Sequence, residues 1–336
     1  AENSGGAHCL KYGFTTNHVT GLRIVTPDGE QVRLGGRALD PPGYDLIGAF
    51  VGSEGTLGVA TEVTVKLTRL PESVRTLLAA FPGIDQAGAA TSAIIAAGVV
   101  PAAIEMMDAL AIEAAEAAVA CGYPPGAAAV LIVELDGPAA EVEAQFVQVT
   151  DLCRHAGAFE IRIAADDAER ALFWKGRKSA FAAVGRISPD YIVQDGVIPR
   201  TALPEVLRRI SDLAGEHGVR VANVFHAGDG NLHPLVLFDA RVSGEAERAE
   251  KVSGAIIDLC IEYGGSITGE HGVGMDKAKY LPRMFGEDDL DTMQLVRCAF
   301  DPDHLANPGK VFPTPRLCGE RPGGQVAARF PGVEVY

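Results

Sequence analysis

The segment VANVFHAGDGNLHPLVLF, residues 221–238, decides the reading of the fold. Two β-like runs, VANVFH and LHPLVLF, flank Asp229-Gly230, and Asp-Gly between such runs is a preferred two-residue hairpin turn. With that pair at the turn, Gly228 faces Asn231, Ala227 faces Leu232 and His226 faces His233. Directly opposed residues have Cβ atoms about 4.5–5.5 Å apart on one face of the sheet. Two imidazoles so placed are spaced to share one divalent metal. Two separate hydrogen-bonded histidines of a turn explain the same spacing equally well.

Working outward, strands are expected at 74–81, 129–136, 158–163, 190–198, 220–227 and 232–238. Helices are expected at 85–98, 103–120, 139–156, 166–183, 201–218 and 244–264. The alanine-rich stretch 102–120 is interrupted by Glu105, Asp108, Glu113 and Glu116 and reads as a helix. This alternation suggests an α+β sandwich, with a sheet on one side and helices on the other. Residues 1–70 are rich in Gly and β-formers: VTGLRIVT at 19–26, a PDGE turn, a hairpin partner at 31–34, and a strand within 56–70. That last strand carries Val59, Thr61, Val63, Val65 and Leu67 on one face. A final helix at 287–300 precedes a Pro/Gly-rich end, and 319–336 reads as a loose tail.

Composition narrows the function. In 336 residues there are 44 acidic and 29 basic side chains, a formal charge of −15. Phosphate backbones demand a basic face, so this balance argues against nucleic acid as a partner. At 47 % hydrophobic residues the chain can bury substantial cores. No apolar run approaches the roughly 20 residues that span a bilayer. Six cysteines (9, 121, 153, 260, 298 and 318) are scattered without a C-x-x-C pair, which fits free thiols in a reducing cytoplasm. The chain opens at Ala1 in the loop-like AENSGG, and an amino-terminal portion is expected to be missing.

A second chemical cluster, GGSITGEHGVG at 264–274, sets Glu270 beside His271 among closely spaced glycines. Neighbouring residues on an extended segment point to opposite faces. Glu270 is thus placed to complete a two-His-one-carboxylate site, while His271 is free to act as a base. A helix-terminus loop with an incidental histidine is the plainer account of this segment alone. GSEGTLG at 52–58 presents backbone amides for a phosphate or flavin, or is a Gly-rich turn before a strand. WKGRK at 174–178 is a cationic cluster in an acidic chain, and on its own reads as a solvated helix face.

Taken together, AENSGG and KYG at the start, GSEGTLGVATEVTVKL, HAGDGNLHP, GGSITGEHGVGMDK and FDPDHLANPGK resemble one family. It is the FAD-linked oxidases of the vanillyl-alcohol-oxidase type that act on 2-hydroxy acids. The segment WKGRKSAFAAVGRISPDYIVQDGVIPR resembles the branch formed by the catalytic flavin (D) subunits of glycolate oxidases. The resemblance covers almost all of the chain except the tail.

The resemblance implies an α+β fold: the carboxyl-terminal half of a split FAD-binding domain (1–72), a ferredoxin-like α+β cap domain carrying a metal site (73–285), a helical return segment (286–318) and the tail (319–336). In the family a pyrophosphate loop precedes the NSGG segment, and nothing here corresponds to it, so an amino-terminally truncated form is expected. By resemblance Asn3, Gly5 and Gly6, with Gly52, Ser53, Glu54, Gly55, Thr56, Leu57 and Gly58, line the FAD, and Asn307 returns to it. His226, His233 and Glu270 match the metal ligands, zinc, iron or manganese alike. His271 matches the catalytic base, and Arg177 the arginine that pairs with the substrate carboxylate, a task suited to a planar guanidinium.

Relatives acting on 2-hydroxyglutarate carry an Asn and a Lys where this chain has Leu235 and Val193. Their loss favours a small monocarboxylate, glycolate or D-lactate, oxidised to the 2-oxo acid. The resemblance further implies a second flavin-type subunit and an iron–sulfur subunit or a quinone as electron acceptor, and a cytoplasmic enzyme peripheral to the inner membrane through those partners. A metal-dependent hydrolase and a non-catalytic truncated flavoprotein subunit are the rival readings.

Overall fold

A computed structural model describes residues 1–39 and 42–313. The expected tail and the last residues of the return segment, 314–318, lie outside the described residues. The chain forms two compact units, one of residues 1–3, 15–67 and those from 271 onward, the other of residues 4–14 and 68–270.

The first unit is built on a three-stranded antiparallel sheet in the order β2-β1-β3, from β1 (Val19–Val25), β2 (Gln31–Gly35) and β3 (Val59–Val65). Alternation sends Leu22, Ile24 and Leu34 inward, where they meet Ile47, Phe50 and Leu57. Val59, Val63 and Val65, placed on one face by the sequence pattern, are exposed.

In the second unit, helix α1 (Cys9–Tyr12) precedes a nine-stranded sheet, and helix α2 (Leu46–Phe50) belongs to the first unit. The sheet comprises β4 (Ser73–Phe81), β5 (Ala103–Asp108), β6 (Ala129–Gly137), β7 (Glu160–Ile163), β8 (Asp190–Val193), β9 (Gly196–Val197), β10 (Arg220–His226), β11 (Asn231–Leu232) and β12 (Pro234–Phe238). Between them run α3 (Ile84–Ala96), α4 (Ala109–Val119), α5 (Ala139–His155), α6 (Asp167–Val184), α7 (Leu203–His217) and α8 (Glu245–Glu262). The first unit also contains α9 (Leu281–Met284) and α10 (Glu287–Phe300). The mixed α+β class is as the sequence implies. The order β7-β4-β6-β5, all antiparallel, is a ferredoxin-like arrangement.

Four expectations are corrected. Residues 103–108 are strand β5, not helix, and only Ala109–Val119 is helical. A central strand buried on both faces has no alternation to reveal it, and Asp108 caps the helix by accepting from the Ala111 amide at 3.0 Å. Helices cover both faces of the sheet, not one: Leu77, Ala79 and Phe81 pack with α3, α5, α7 and α8, while Leu78 and Ala80 pack with α4 and α6. The third concerns the hairpin. His226 pairs with Asn231 and Asn223 with Pro234, so the connection is the four residues 227–230 rather than an Asp-Gly pair. A two-residue type I′ turn needs positive φ at both central residues; Gly230 has φ 81°, and Asp229 is not among the positive-φ residues. Asp229 instead accepts from the Asn231 amide at 3.0 Å. Cys9, Cys121, Cys153 and Cys260 are buried and outside any disulfide, while Cys298 is disulfide-bonded, so the expectation of free thiols throughout is also corrected.

Candidate functional site

Strands β5 and β10 set the site. Ala103, Glu105 and Met107 share one face of the sheet with Ala222, Val224 and His226, and the pairing puts Glu105 directly opposite His226. The register shift moves His233 to a diagonal position relative to His226, still within side-chain reach. The two imidazole centroids are 5.1 Å apart and nearly perpendicular, at 88°.

Glu270 closes the triangle. Its Oε1 lies 3.1 Å from His226 Nε2 and 3.0 Å from His233 Nε2, and all three donor atoms lie within 4.8 Å of one another. The second oxygen, Oε2, accepts from the Gly6 amide at 2.6 Å, and Ser4 Oγ donates to the Glu270 carbonyl at 2.7 Å. The NSGG segment, assigned to flavin by resemblance, thus also holds the carboxylate. Asp195, fully buried, accepts from Thr268 Oγ1 at 2.6 Å and from the amides of Gly269 and Glu270 at 3.1 and 3.2 Å. Gly269 is required by close approach: a Cβ there would sit 2.6 Å from the Asn231 side chain.

The protonation chemistry of this triangle is constrained. His226 Nδ1 is 2.7 Å from Glu105 Oε1, so its N–H donates there and Nε2 faces the Glu270 carboxylate. Lone pairs of an imidazole and a carboxylate repel at such a distance unless a positive centre lies between them. A second proton is one solution. Burial alone would push the His226 pKa down, but Glu105 and Glu270 lift it to about 10. Burial likewise opposes the charge on Glu270, yet the two imidazoles hold its carboxyl well below the usual range. A divalent cation is the other solution, and two imidazoles with one carboxylate suit zinc, iron or manganese. The residues present fit such an ion.

Arg177, on α6, is also buried, and its Nε lies 2.7 Å from Glu105 Oε2. Its guanidinium stacks near Phe181 at 5.7 Å, and Phe181 meets the His233 ring edge-on at 5.9 Å. Helix α6 is anchored by buried Glu134 of β6, which accepts from Arg170 Nε and Nη2 at 2.8 and 2.9 Å, from Trp174 Nε1 at 2.8 Å and from Thr76 Oγ1 at 2.8 Å. Arg177 is therefore no part of a solvated helix face.

In the first unit the residues assigned to flavin gather around the 52–58 loop. Asn307 Nδ2 donates to the Glu54 carbonyl at 2.5 Å, Gly52 approaches Asn3, and Gly55 approaches Asn307. Glu54 turns its carboxylate to the amides of Val273 and Gly274, at 2.6 and 2.7 Å. It braces the glycine-rich segment that carries His271. Gly5 and Gly6 lie in the other unit. His271 follows Glu270 in sequence and is exposed. Sequence reasoning missed Glu105 and Glu54 as supports. An acid within a short apolar run, three residues ahead of the helix cap Asp108, is the signal that points to Glu105.

Two imidazoles, a carboxylate and a guanidinium thus converge within the second unit. The family model described as FAD linked oxidases, C-terminal domain, matches residues 70–311, and the chain belongs to that family. It is 53 % identical over 320 residues to glycolate oxidase subunit GlcD of Escherichia coli strain K12, covering 95 % of this chain and 64 % of that protein. It is 30 % identical to the mitochondrial D-lactate dehydrogenase [cytochrome] of Arabidopsis thaliana, covering 95 % of this chain and 56 % of the relative. The chain thus spans just under two thirds, or less, of these relatives' own length. Among solved structures, p-cresol methylhydroxylase with substrate bound superposes with a TM-score of 0.68 at 12 % identity, covering 88 % of this chain and 65 % of the other. An alkyldihydroxyacetonephosphate synthase gives a TM-score of 0.64 at 20 % identity, covering 91 % of this chain and 56 % of that one. These likenesses show the fold.

Among the described residues no helix is long and apolar enough to cross a membrane.

Proposed function

We propose that the protein acts in the FAD-dependent oxidation of a small 2-hydroxy acid, glycolate or D-lactate, to the 2-oxo acid. The observation that carries this reading is the convergence of His226, His233 and Glu270 next to Arg177, with Glu105 between them. In this reading residues 1–72 belong to an FAD-binding domain, residues 73–285 to a substrate domain, and residues 286–318 return to the flavin. Asn3, Gly5, Gly6, the 52–58 loop and Asn307 hold FAD, and His226, His233 and Glu270 hold the divalent metal.

When bound, FAD supplies the two-electron acceptor and the metal supplies a Lewis acid that favours the alkoxide. The chain's own groups do the rest. Arg177 pairs with the substrate carboxylate and fixes its orientation, since two parallel N–H···O bonds define a plane as well as a distance. His271, next to the ligand Glu270, accepts the hydroxyl proton as general base. The C2 hydrogen leaves with its electron pair, so the alcohol loses two electrons and the products are the 2-oxo acid, a proton and reduced cofactor. Leu235 is fully buried and pairs with Val193 across β12 and β8. No amide or ammonium stands at these two positions to receive a second carboxylate, which favours a monocarboxylate.

By analogy with relatives that are subunits, the electrons pass to an iron–sulfur subunit or a quinone, alongside a second flavin-type subunit, on a cytoplasmic assembly peripheral to the inner membrane. The test is anaerobic bleaching of bound FAD by a panel of glycolate, D-lactate and D-2-hydroxyglutarate. Rapid bleaching by the first two and slow bleaching by the third is expected. Preference for the dicarboxylate would overturn the substrate assignment.

A further inference from the structure

We propose that Glu105 is the positioning residue that fixes the metal-ligand imidazole of His226 and the carboxylate-binding guanidinium of Arg177 relative to one another. This rests on the reading given under Proposed function. One carboxylate spans two partners with different tasks. Oε1 takes the His226 Nδ1 proton at 2.7 Å, and Oε2 lies 2.7 Å from Arg177 Nε. Glu105 is 1 % exposed and stands on a central strand directly opposite His226, so neither water nor side-chain rotation loosens the bridge.

The consequences follow from the chemistry of each end. Accepting from Nδ1 fixes the His226 tautomer, directs the Nε2 lone pair toward the shared point with Glu270, and raises its basicity as a ligand. The contact with Arg177 is a buried ion pair on the Nε side of the guanidinium, without an aligned N–H···O bond, and it keeps the charged group beside Glu105. Because both ends belong to one carboxylate, Glu105 couples the position of the His226 imidazole to that of the Arg177 guanidinium. Any tilt of Glu105 moves both recognition groups together.

The discriminating variants are Glu105→Gln and Glu105→Asp. The first keeps the shape but turns one acceptor into a donor, so it cannot serve His226 and Arg177 at once. The second keeps the charge, and with it a counter-ion for buried Arg177, but is one methylene too short to meet both partners. Cobalt(II) is the probe, added to the metal-stripped full chain and followed by titration calorimetry and by its visible d–d bands. Both variants are expected to weaken cobalt affinity by about 10–100-fold, to change the d–d spectrum, and to raise the glycolate KM of the FAD-loaded protein by about 10-fold or more. Arg177→Ala serves as comparator and should raise KM while leaving the cobalt affinity in place. Wild-type cobalt affinity and spectrum in Glu105→Gln would overturn the inference alone. Should that variant fail to melt cooperatively, Glu105→Asp decides by the same readouts. If the wild-type chain takes up no cobalt, the metal-site reading itself falls, and the inference with it.

Discussion

Replacing Glu134 by Ala tests how helix α6, and with it Arg177, is held. Glu134 is 2 % exposed and accepts four hydrogen bonds, two from Arg170, one from Trp174 Nε1 and one from Thr76 Oγ1. The Arg170 side chain is 35 % exposed, so it can turn to water and its loss is discounted. Trp174 and Thr76 are buried, and each stranded donor costs about 1–3 kcal/mol. The expected loss is about 3–5 kcal/mol, in line with breaking a buried charge pair, read as a shift of the urea midpoint at unchanged m. Glu134→Gln keeps the shape and should cost less. The pH dependence has a definite sign. Burial opposes the charge on Glu134, but Arg170, Trp174 and Thr76 bring its pKa below the usual glutamate value. The stabilisation is then present above the unfolded pKa of about 4.3 and lost as pH falls through the folded one. The gap between wild type and Glu134→Gln should therefore close in acid. A gap of constant size down to the acid limit, or none at neutral pH, would refute the reasoning.

Arg177→Lys should raise the glycolate KM by about 10–100-fold, because an ammonium cannot replace a planar fork; steady-state kinetics on the FAD-loaded protein check this. His271→Ala should lower kcat by about 10²–10⁴-fold without displacing metal, as element analysis of the purified variant would show. Glu54→Gln loses part of a carboxylate held on the Val273 and Gly274 amides. A loss of about 1–3 kcal/mol in the melt, with kcat falling more than KM rises, is the expected signature. His226→Ala should leave the chain folded at neutral pH but with no metal after dialysis, and equal metal content in variant and wild type would count against the ligand assignment.

How much was legible in the sequence depends on which force decided each element. The last helix is found at Glu287–Phe300, where the pattern placed it, and the amphipathic helices near 139–156 and 201–218 shift by a residue or two. Their periodicity survives because one face meets solvent. Strand β5 was not legible. Its residues are buried on both sides, so alanine and methionine replace alternation, and helix propensity misleads. With β5 misread, Glu105 lay on an imagined helix and its pairing with His226 was invisible. The hairpin was recognised but its register was not: Asp-Gly suggested a two-residue turn, and side-chain capping by Asp229 made a longer one. The proximity of His226 and His233 survived that error, since a diagonal pair still brings two imidazoles together. The two-sided cover of the sheet follows from the doubly buried strands β4, β5 and β6, a tertiary fact that no local pattern carries.

In the proposed function His226, His233 and Glu270 bind a divalent metal required for oxidation of a 2-hydroxy acid. The most direct test of this claim is anaerobic reduction of bound FAD by glycolate, followed as loss of the visible flavin band, in one preparation before chelation, after chelation and after metal is restored. Fast bleaching, its loss on chelation and its return with zinc or manganese are the predicted results. Undiminished bleaching in a preparation shown by element analysis to be free of metal would contradict the claim.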